Sequence, residues 1–236
     1  MSLPVAILAG GLARRLGEAS AHTPKALIEV AGRPFAEHQI ALLRRHGVTR
    51  VVFLVGHLGT MIRDTIGDGS RLGVSAQFVF DGPSPLGTGG AIRHALEALG
   101  PRFLVVYGDS YLECDYAAIG RAFEASGCDA LMTVFHNDNR WDRSNVRYED
   151  GRIVAYDKTG RTQGMQHIDY GLGAFRASAF HAYGPQDAFD LADLYQRLLT
   201  DGLLAGYEVP GRFYEIGSPE GLEETRAYLS AALKTP

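Results

Sequence analysis

Residues Leu8–Leu27 read LAGGLARRLGEASAHTPKAL, and they continue an apolar run of strand character, Val5–Ala9. The run stops at Gly10 and Gly11; Arg14, Arg15, His22 and then Thr23-Pro24-Lys25 follow within one loop. In open α/β sheets ligands bind beyond the carboxyl ends of the strands. Glycines at such an end let backbone amides approach a ligand closely. The planar fork of arginine and the compact charge of lysine both suit phosphate oxygens. The stretch therefore points to a first sheet strand whose end faces a polyphosphate. The P-loop pattern G-x-x-x-x-G-K-[ST] is absent, and no G-x-G-x-x-G follows the strand, so neither familiar phosphate loop applies.

The rest of the composition makes this anion site a local feature. The chain has 236 residues, enough for one domain or one domain with a small annex. It is 46% hydrophobic and 21% charged with a net charge of −4, which gives no global reason to bind nucleic acid or an anionic membrane. Two cysteines, Cys114 and Cys128, form no C-x-x-C pair. A disulfide framework is not expected, and a reducing, cytoplasmic setting is. The apolar start is too short to span a membrane and has no basic region before it, so neither a signal peptide nor a membrane partner is expected.

Outward from the first strand, the pattern alternates. A helix opens at Pro34, with Ala36, Ile40 and Leu43 on one face, and ends at Gly47. Strand Val51–Val55, helix Leu58–Ile66 and strand Ser75–Phe80 follow. Gly89-Gly90 opens a helix running to Leu99, strand Phe103–Tyr107 stops at Gly108-Asp109, and helix Asp115–Ser126 leads to strand Ala130–Phe135. This rhythm predicts an α/β fold: a Rossmann-like, mostly parallel sheet covered by helices. The second half changes. Asn145–Glu149 and Ile153–Asp157 flank the turn Asp150-Gly151 as a hairpin, and a strand is expected over Tyr170–Phe175. Helices are expected over Leu191–Leu199 and from Ser218-Pro219-Glu220 onward. The expected organisation is a single unit: a nucleotide-type core over 1–135, a small antiparallel annex over 136–175, and a part over 176–236 returning to the core.

Several strand ends share one edge. Asp109 stands at one of them, and the loop Ser84–Gly90 leads from another into a helix N-terminus. Cations, a carboxylate and a glycine-rich turn at one sheet edge fit a nucleotide with its metal.

In chain order, LAGGLARRL, TPKAL, PLGTGGAI and GDS, continued by YDK, IDYG and YEIGSPEG, resemble the signature segments of the sugar-1-phosphate nucleotidyltransferases, or nucleotide-sugar pyrophosphorylases. The resemblance covers nearly the whole chain. It is closest to short bacterial forms such as heptose-1-phosphate guanylyltransferase and N-acetylmuramate-1-phosphate uridylyltransferase. It implies the nucleotide-diphospho-sugar transferase type of fold with a small sugar-binding annex. It also implies an NTP and a sugar 1-phosphate as substrates, Mg²⁺ as cofactor, and an NDP-sugar and pyrophosphate as products.

Residue by residue, the resemblance assigns catalytic roles to Arg15, Lys25 and Asp109. It assigns nucleotide binding to Leu8, Ala9, Gly10, Gly11, Gly87, Thr88 and Gly89, and sugar-phosphate binding to Lys158, Asp169 and Gly171. Mg²⁺ falls to Asp109 and Glu215, the latter standing where the family usually has aspartate. Arg14 occupies the usual threonine position, and a second phosphate contact and a solvent-facing side chain are both open for it. GTP with a heptose- or mannose-like 1-phosphate ranks first, UTP next and CTP last. A homodimer is compatible with the sequence. Two other readings compete. One is a non-catalytic regulatory subunit that binds a nucleotide sugar, against which Arg15, Lys25 and Asp109 argue. The other is a nucleotidyltransferase with a non-sugar acceptor such as phosphocholine, against which Lys158 and the IDYG segment argue.

Overall fold

The computed structural model describes residues 2–11, 22–159 and 161–232. In chain order the elements are β1 (Val5–Leu8), β2 (Glu29–Val30), β3 (Arg33–Pro34), α1 (Phe35–Arg45), β4 (Arg50–Val55), α2 (Gly59–Ile66), β5 (Ser75–Phe80), α3 (Gly87–His94), α4 (Leu96–Leu99), β6 (Arg102–Tyr107) and β7 (Ser110–Tyr111). They continue as α5 (Tyr116–Ser126), β8 (Ala130–His136), β9 (Val146–Glu149), β10 (Arg152–Tyr156), β11 (His167–Arg176), α6 (Leu191–Thr200), β12 (Leu204–Glu208), β13 (Tyr214–Glu215) and α7 (Pro219–Ala232).

Among the described residues, nine strands form one sheet. Strands β5, β4, β1 and β6 lie side by side and parallel, with Val5 opposite both Val51 and Leu104. Their apolar runs are covered on both faces, and alternation along each strand divides the side chains between two cores. Val5, Ile7, Val51, Phe53, Leu104 and Val106 pack with α1, α2 and α5. Ala6, Val52, Leu54, Phe103 and Val105 pack with α3 and α6 on the other face. Strand β11 enters the sheet antiparallel to β6, pairing Leu172 with Val106 and Arg176 with Arg102. Strand β8 is antiparallel to β11, and β12 closes that side parallel to β8. The β9–β10 hairpin joins the early part of β11 through His167 and Val146. Its turn holds Asp150 and Gly151 at positive φ, 49° and 77°, as a tight two-residue hairpin requires.

Three expectations are refined. Pro34 pairs with Glu29 and precedes the first helical residue, Phe35. The helix expected over 89–99 starts earlier, at Gly87, and is split between His94 and Leu96. The strand expected over 170–175 runs over His167–Arg176. β12 was not foreseen, because its segment, LAGYE, carries a glycine. A Cβ on Gly206 would lie 2.6 Å from the Tyr148 ring, so the missing side chain makes room for the hairpin.

No helix among the described residues is long and apolar enough to cross a membrane.

Candidate active site

The carboxyl ends of β1, β4, β5 and β6 meet the start of α3 around a cleft of about 470 Å³. Leu8, Ala9, Gly10 and Gly11 line it from β1, Gly87 and Thr88 from α3, and Tyr107, Gly108 and Asp109 from β6. Lys25 reaches it from a short 3-10 turn, Lys25–Leu27. Arg14 and Arg15 lie outside the described residues.

Gly10 is needed for close approach. A Cβ there would lie 3.2 Å from the Gly56 amide nitrogen, so a larger residue would press the ends of β1 and β4 apart by a few tenths of an ångström. Gly89 has another use. It is buried and absent from the cleft lining, and a Cβ would lie 2.3 Å from the Phe189 ring. The amides of Gly89 and Gly90 both donate to the Phe189 carbonyl, at 3.0 and 3.2 Å. The glycines of this loop thus seat the 184–190 segment beneath α3, while Gly87 and Thr88 face the cleft.

Lys25 Nζ donates to Asp109 Oδ2 at 2.9 Å, and both side chains are only partly exposed. Asp109 is held from two sides. The buried Gln39 of α1 donates through Nε2 to the carbonyls of Tyr107 (2.8 Å) and Ser110 (2.9 Å), pinning the turn that carries Asp109. The Asp109 carbonyl accepts from the Ile216 amide at 2.9 Å, and β13 pairs with β7 so that Glu215 lies opposite Ser110. The far end of the chain is thereby brought to the cleft.

The α-carbon of Gly217 marks where these charges converge. A Cβ on it would lie 2.8 Å from Glu215 Oε2, 3.1 Å from Asp109 Oδ2 and 3.3 Å from Lys25 Nζ. Glu215 Oε2 accepts from the amides of Gly217 and Ser218, and Oε1 accepts from the Ser218 hydroxyl, so its carboxylate also braces the turn that leads into α7. Two carboxylates at one spot suit Mg²⁺, which binds few protein oxygens and keeps the rest of its shell for water and phosphate. Among the described residues no three or more His, Cys, Asp or Glu gather to hold a metal by themselves. The pair therefore fits an ion whose coordination a phosphorylated substrate completes.

Asp169, Gly171 and Lys158 do not line this cleft but lie beside it. β11 carries an irregularity between Asp169 and Gly173 in its pairing with β8. There Asp169 accepts from the Gly171 amide at 3.0 Å, and its own amide donates to Asn145 Oδ1 at 2.8 Å. Gly171, at φ 92°, lies beside Tyr107, which lines the cleft: a Cβ on it would lie 3.5 Å from the Tyr107 ring. Burial raises the Asp169 carboxyl to about 6, against the opposing pull of the Gly171 amide and the Lys158 charge. Lys158 is paired with Asp190, the residue that caps α6. Burial works to raise Asp190, but hydrogen bonds from Lys158 and the Ala192 amide outweigh it and leave the carboxyl below its usual range. Next in the chain, the Leu191 amide donates to Thr88 Oγ1 at 2.8 Å, which ties this side to the cleft.

Two cleft-forming residues escaped the sequence reading. Gln39 gives no signal beyond a polar residue on an apolar helix face. Asp81 follows β5 as Asp109 follows β6, and it lines the cleft with its Oδ2 near Gly10 and Gly56. Burial pushes its carboxyl above the ordinary value, with the Leu86 amide and His94 pulling the other way.

An open α/β edge with an ammonium–carboxylate pair, a second carboxylate and a glycine-rich helix start suits a phosphorylated ligand with its metal. The chain belongs to the family described as MobA-like NTP transferase domain, whose model matches residues 5–183. It is 28% identical to N-acetylmuramate alpha-1-phosphate uridylyltransferase of Neisseria meningitidis over 95% of this chain and 97% of that one. It is 27% identical to D-glycero-alpha-D-manno-heptose 1-phosphate guanylyltransferase of Campylobacter jejuni, over 91% and 94%. The crystal structure of HddC from Yersinia pseudotuberculosis complexed with GMP-PN superposes with a TM-score of 0.79 at 25% identity, covering 96% of this chain and 99% of that one. The sheet and its helices thus have the nucleotide-diphospho-sugar transferase fold.

Proposed function

We propose that the protein transfers a nucleotidyl group from an NTP to a sugar 1-phosphate, giving an NDP-sugar and pyrophosphate. The observation that carries this reading is the convergence of Lys25 and Asp109, which line the cleft, with Glu215 around the α-carbon of Gly217, and with Lys158 and Asp169 beside the cleft. The acceptor phosphate is already anionic at neutral pH, so no general base is required. Its oxygen attacks the α-phosphorus, a new P–O bond forms, and the bond to the bridging oxygen breaks as pyrophosphate leaves. The protein's task is to hold two repelling anions in line and to offset the charge that builds between them.

Lys25 leaves Asp109 to donate to the α-phosphate. Arg15 takes the leaving pyrophosphate, and Lys158 leaves Asp190 to take the acceptor phosphate. Asp169 accepts from a sugar hydroxyl. Gly10, Gly11, Gly87 and Thr88 offer backbone groups to ribose and base beside Leu8 and Ala9, and Gly89 keeps that loop seated on Phe189. Asp109 and Glu215 would hold Mg²⁺, which would supply positive charge against the phosphates.

The chemistry of Asp81 supports GTP as the nucleotide. A carboxylate accepts two hydrogen bonds side by side, and the Watson–Crick edge of guanine offers N1–H and N2–H₂ side by side. Uracil offers one N–H between two carbonyl oxygens that repel a carboxylate.

The test is sugar-nucleotide formation by wild type, Lys25→Ala and Asp109→Asn. Product with wild type and a loss of about a hundredfold or more in each variant is expected, as for removal of one strong charge-stabilising contact. Near-normal turnover in both variants would overturn the assignment.

A further inference from the structure

A second cavity, of about 810 Å³, opens between the loop after β8 and the loop after β10. Arg140 and Arg143 line it from the first loop and Arg161 from the second, with Trp141 beside them. Among the described residues, none of these three guanidinium groups has a carboxylate within ion-pairing distance. Asp142, the single carboxylate of the lining, turns its Oδ1 to the Arg143 amide at 2.6 Å.

Both loops are braced from within. Asn137 is fully buried and donates through Nδ2 to the Asp142 carbonyl (2.6 Å) and to Ser144 Oγ (3.2 Å). Asn139 Oδ1 accepts from the Ser144 amide at 2.9 Å, and the Asn139 amide donates to Ser144 Oγ at 3.0 Å. In the second loop the Asp157 carboxylate accepts from the amides of Thr159, Arg161 and Thr162 and from both threonine hydroxyls, at 2.7–3.1 Å. These frames fix the backbone of the two loops, from which three exposed arginines line one space. Such a cluster repels itself unless an anion joins it.

The geometry points to an oxyanion site in this cavity, one that takes a phosphate or carboxylate group of a small molecule on Arg140, Arg143 and Arg161. The arginine forks match such groups with paired hydrogen bonds, and Trp141 offers an apolar wall to the carbon skeleton. Each loop runs directly into the acceptor side. Ser144 precedes Asn145, which accepts from the Asp169 amide, and Asp157 precedes Lys158. The oxyanion is therefore either a second anionic group on the acceptor, remote from its 1-phosphate, or a separate small phosphorylated molecule bound next to it. The oxyanion site itself stands apart from the reaction; only its assignment to the acceptor rests on the proposed function.

Trp141 is the chain's single tryptophan, so intrinsic fluorescence reads this cavity directly. The intact protein is titrated with glucose 1,6-bisphosphate, with glucose 1-phosphate and inorganic pyrophosphate in parallel. A saturable change with the bisphosphate or pyrophosphate is expected. It should weaken about tenfold or more in Arg143→Ala and in Arg161→Ala, as for loss of a charge-assisted hydrogen bond, with the circular dichroism spectrum unchanged. Lys25→Ala should leave it intact, which separates this site from the nucleotide cleft. A bisphosphate response lost in Lys158→Ala assigns the oxyanion to the acceptor. A pyrophosphate response kept in that variant assigns it to a separate molecule. No saturable change with either ligand, or one retained in both arginine variants, would overturn the proposal.

Discussion

Asp81 and Asp169 are both partly buried carboxylates with raised proton affinity, and in the proposed reaction they face different substrates. Replacing Asp81 by Asn puts an amide donor against guanine N–H groups. The kcat/KM for GTP should then fall about tenfold to a hundredfold, in line with ~1–3 kcal/mol for a two-point base contact, while that for UTP does not fall. Equal losses for both nucleotides would remove Asp81 from base recognition. Asp169 holds its proton up to about pH 6, so it is neutral below that value and charged above it. If the charged form accepts from the sugar, acceptor KM should rise as pH drops through about 6, and Asp169→Asn should lack that limb. A wild-type KM that stays flat across this range contradicts the role. Lys25 and Asp109 were legible in the sequence because each stands within an ordered run of recognisable segments. Gln39 was not, because its work is done on a turn 68 residues away along the chain. Asp81 stands at a strand end as Asp109 does, but Phe80-Asp81-Gly82-Pro83 reads as a turn.

At the scale of elements, the sequence carries the parallel strands well and the second glycine loop only in part. Uninterrupted apolar runs such as Val51–Val55 have one stable use, a strand buried on both faces. The glycines of PLGTGG read equally well as room for a ligand and as room for another segment, and only packing separates the two. Gly89 and Gly90 meet Phe189 and Asp187, residues a hundred positions later. Gly89→Leu should therefore destabilise the fold by about 1–3 kcal/mol through overpacking, seen as a lower midpoint in urea denaturation. An unchanged midpoint would mean that α3 does not rest on Phe189 in solution. β12 was hidden for a related reason: Gly206 lowers its strand character locally while making space for Tyr148.

At the scale of the molecule, the sheet gathers two half-sites that are far apart in sequence. The half proposed for the nucleotide comes from β1, β5, α3 and β6, and the half proposed for the acceptor from the β9–β11 region. They meet at Tyr107, which Gly171 approaches, and at Thr88, which binds the Leu191 amide beside Asp190. β13 then delivers Glu215 to the strand end that already carries Asp109. None of these meetings is local, so the sequence shows the parts in order but not their junction. The central claim is that the junction couples the two substrates. The direct measurement is pyrophosphate release by the wild-type protein with Mg²⁺ and each of four NTPs, with and without a panel of sugar 1-phosphates. Release should require both substrates, match NDP-sugar mole for mole, and be fastest with GTP. Release that proceeds equally without any sugar phosphate, or no release with any pair, would contradict it.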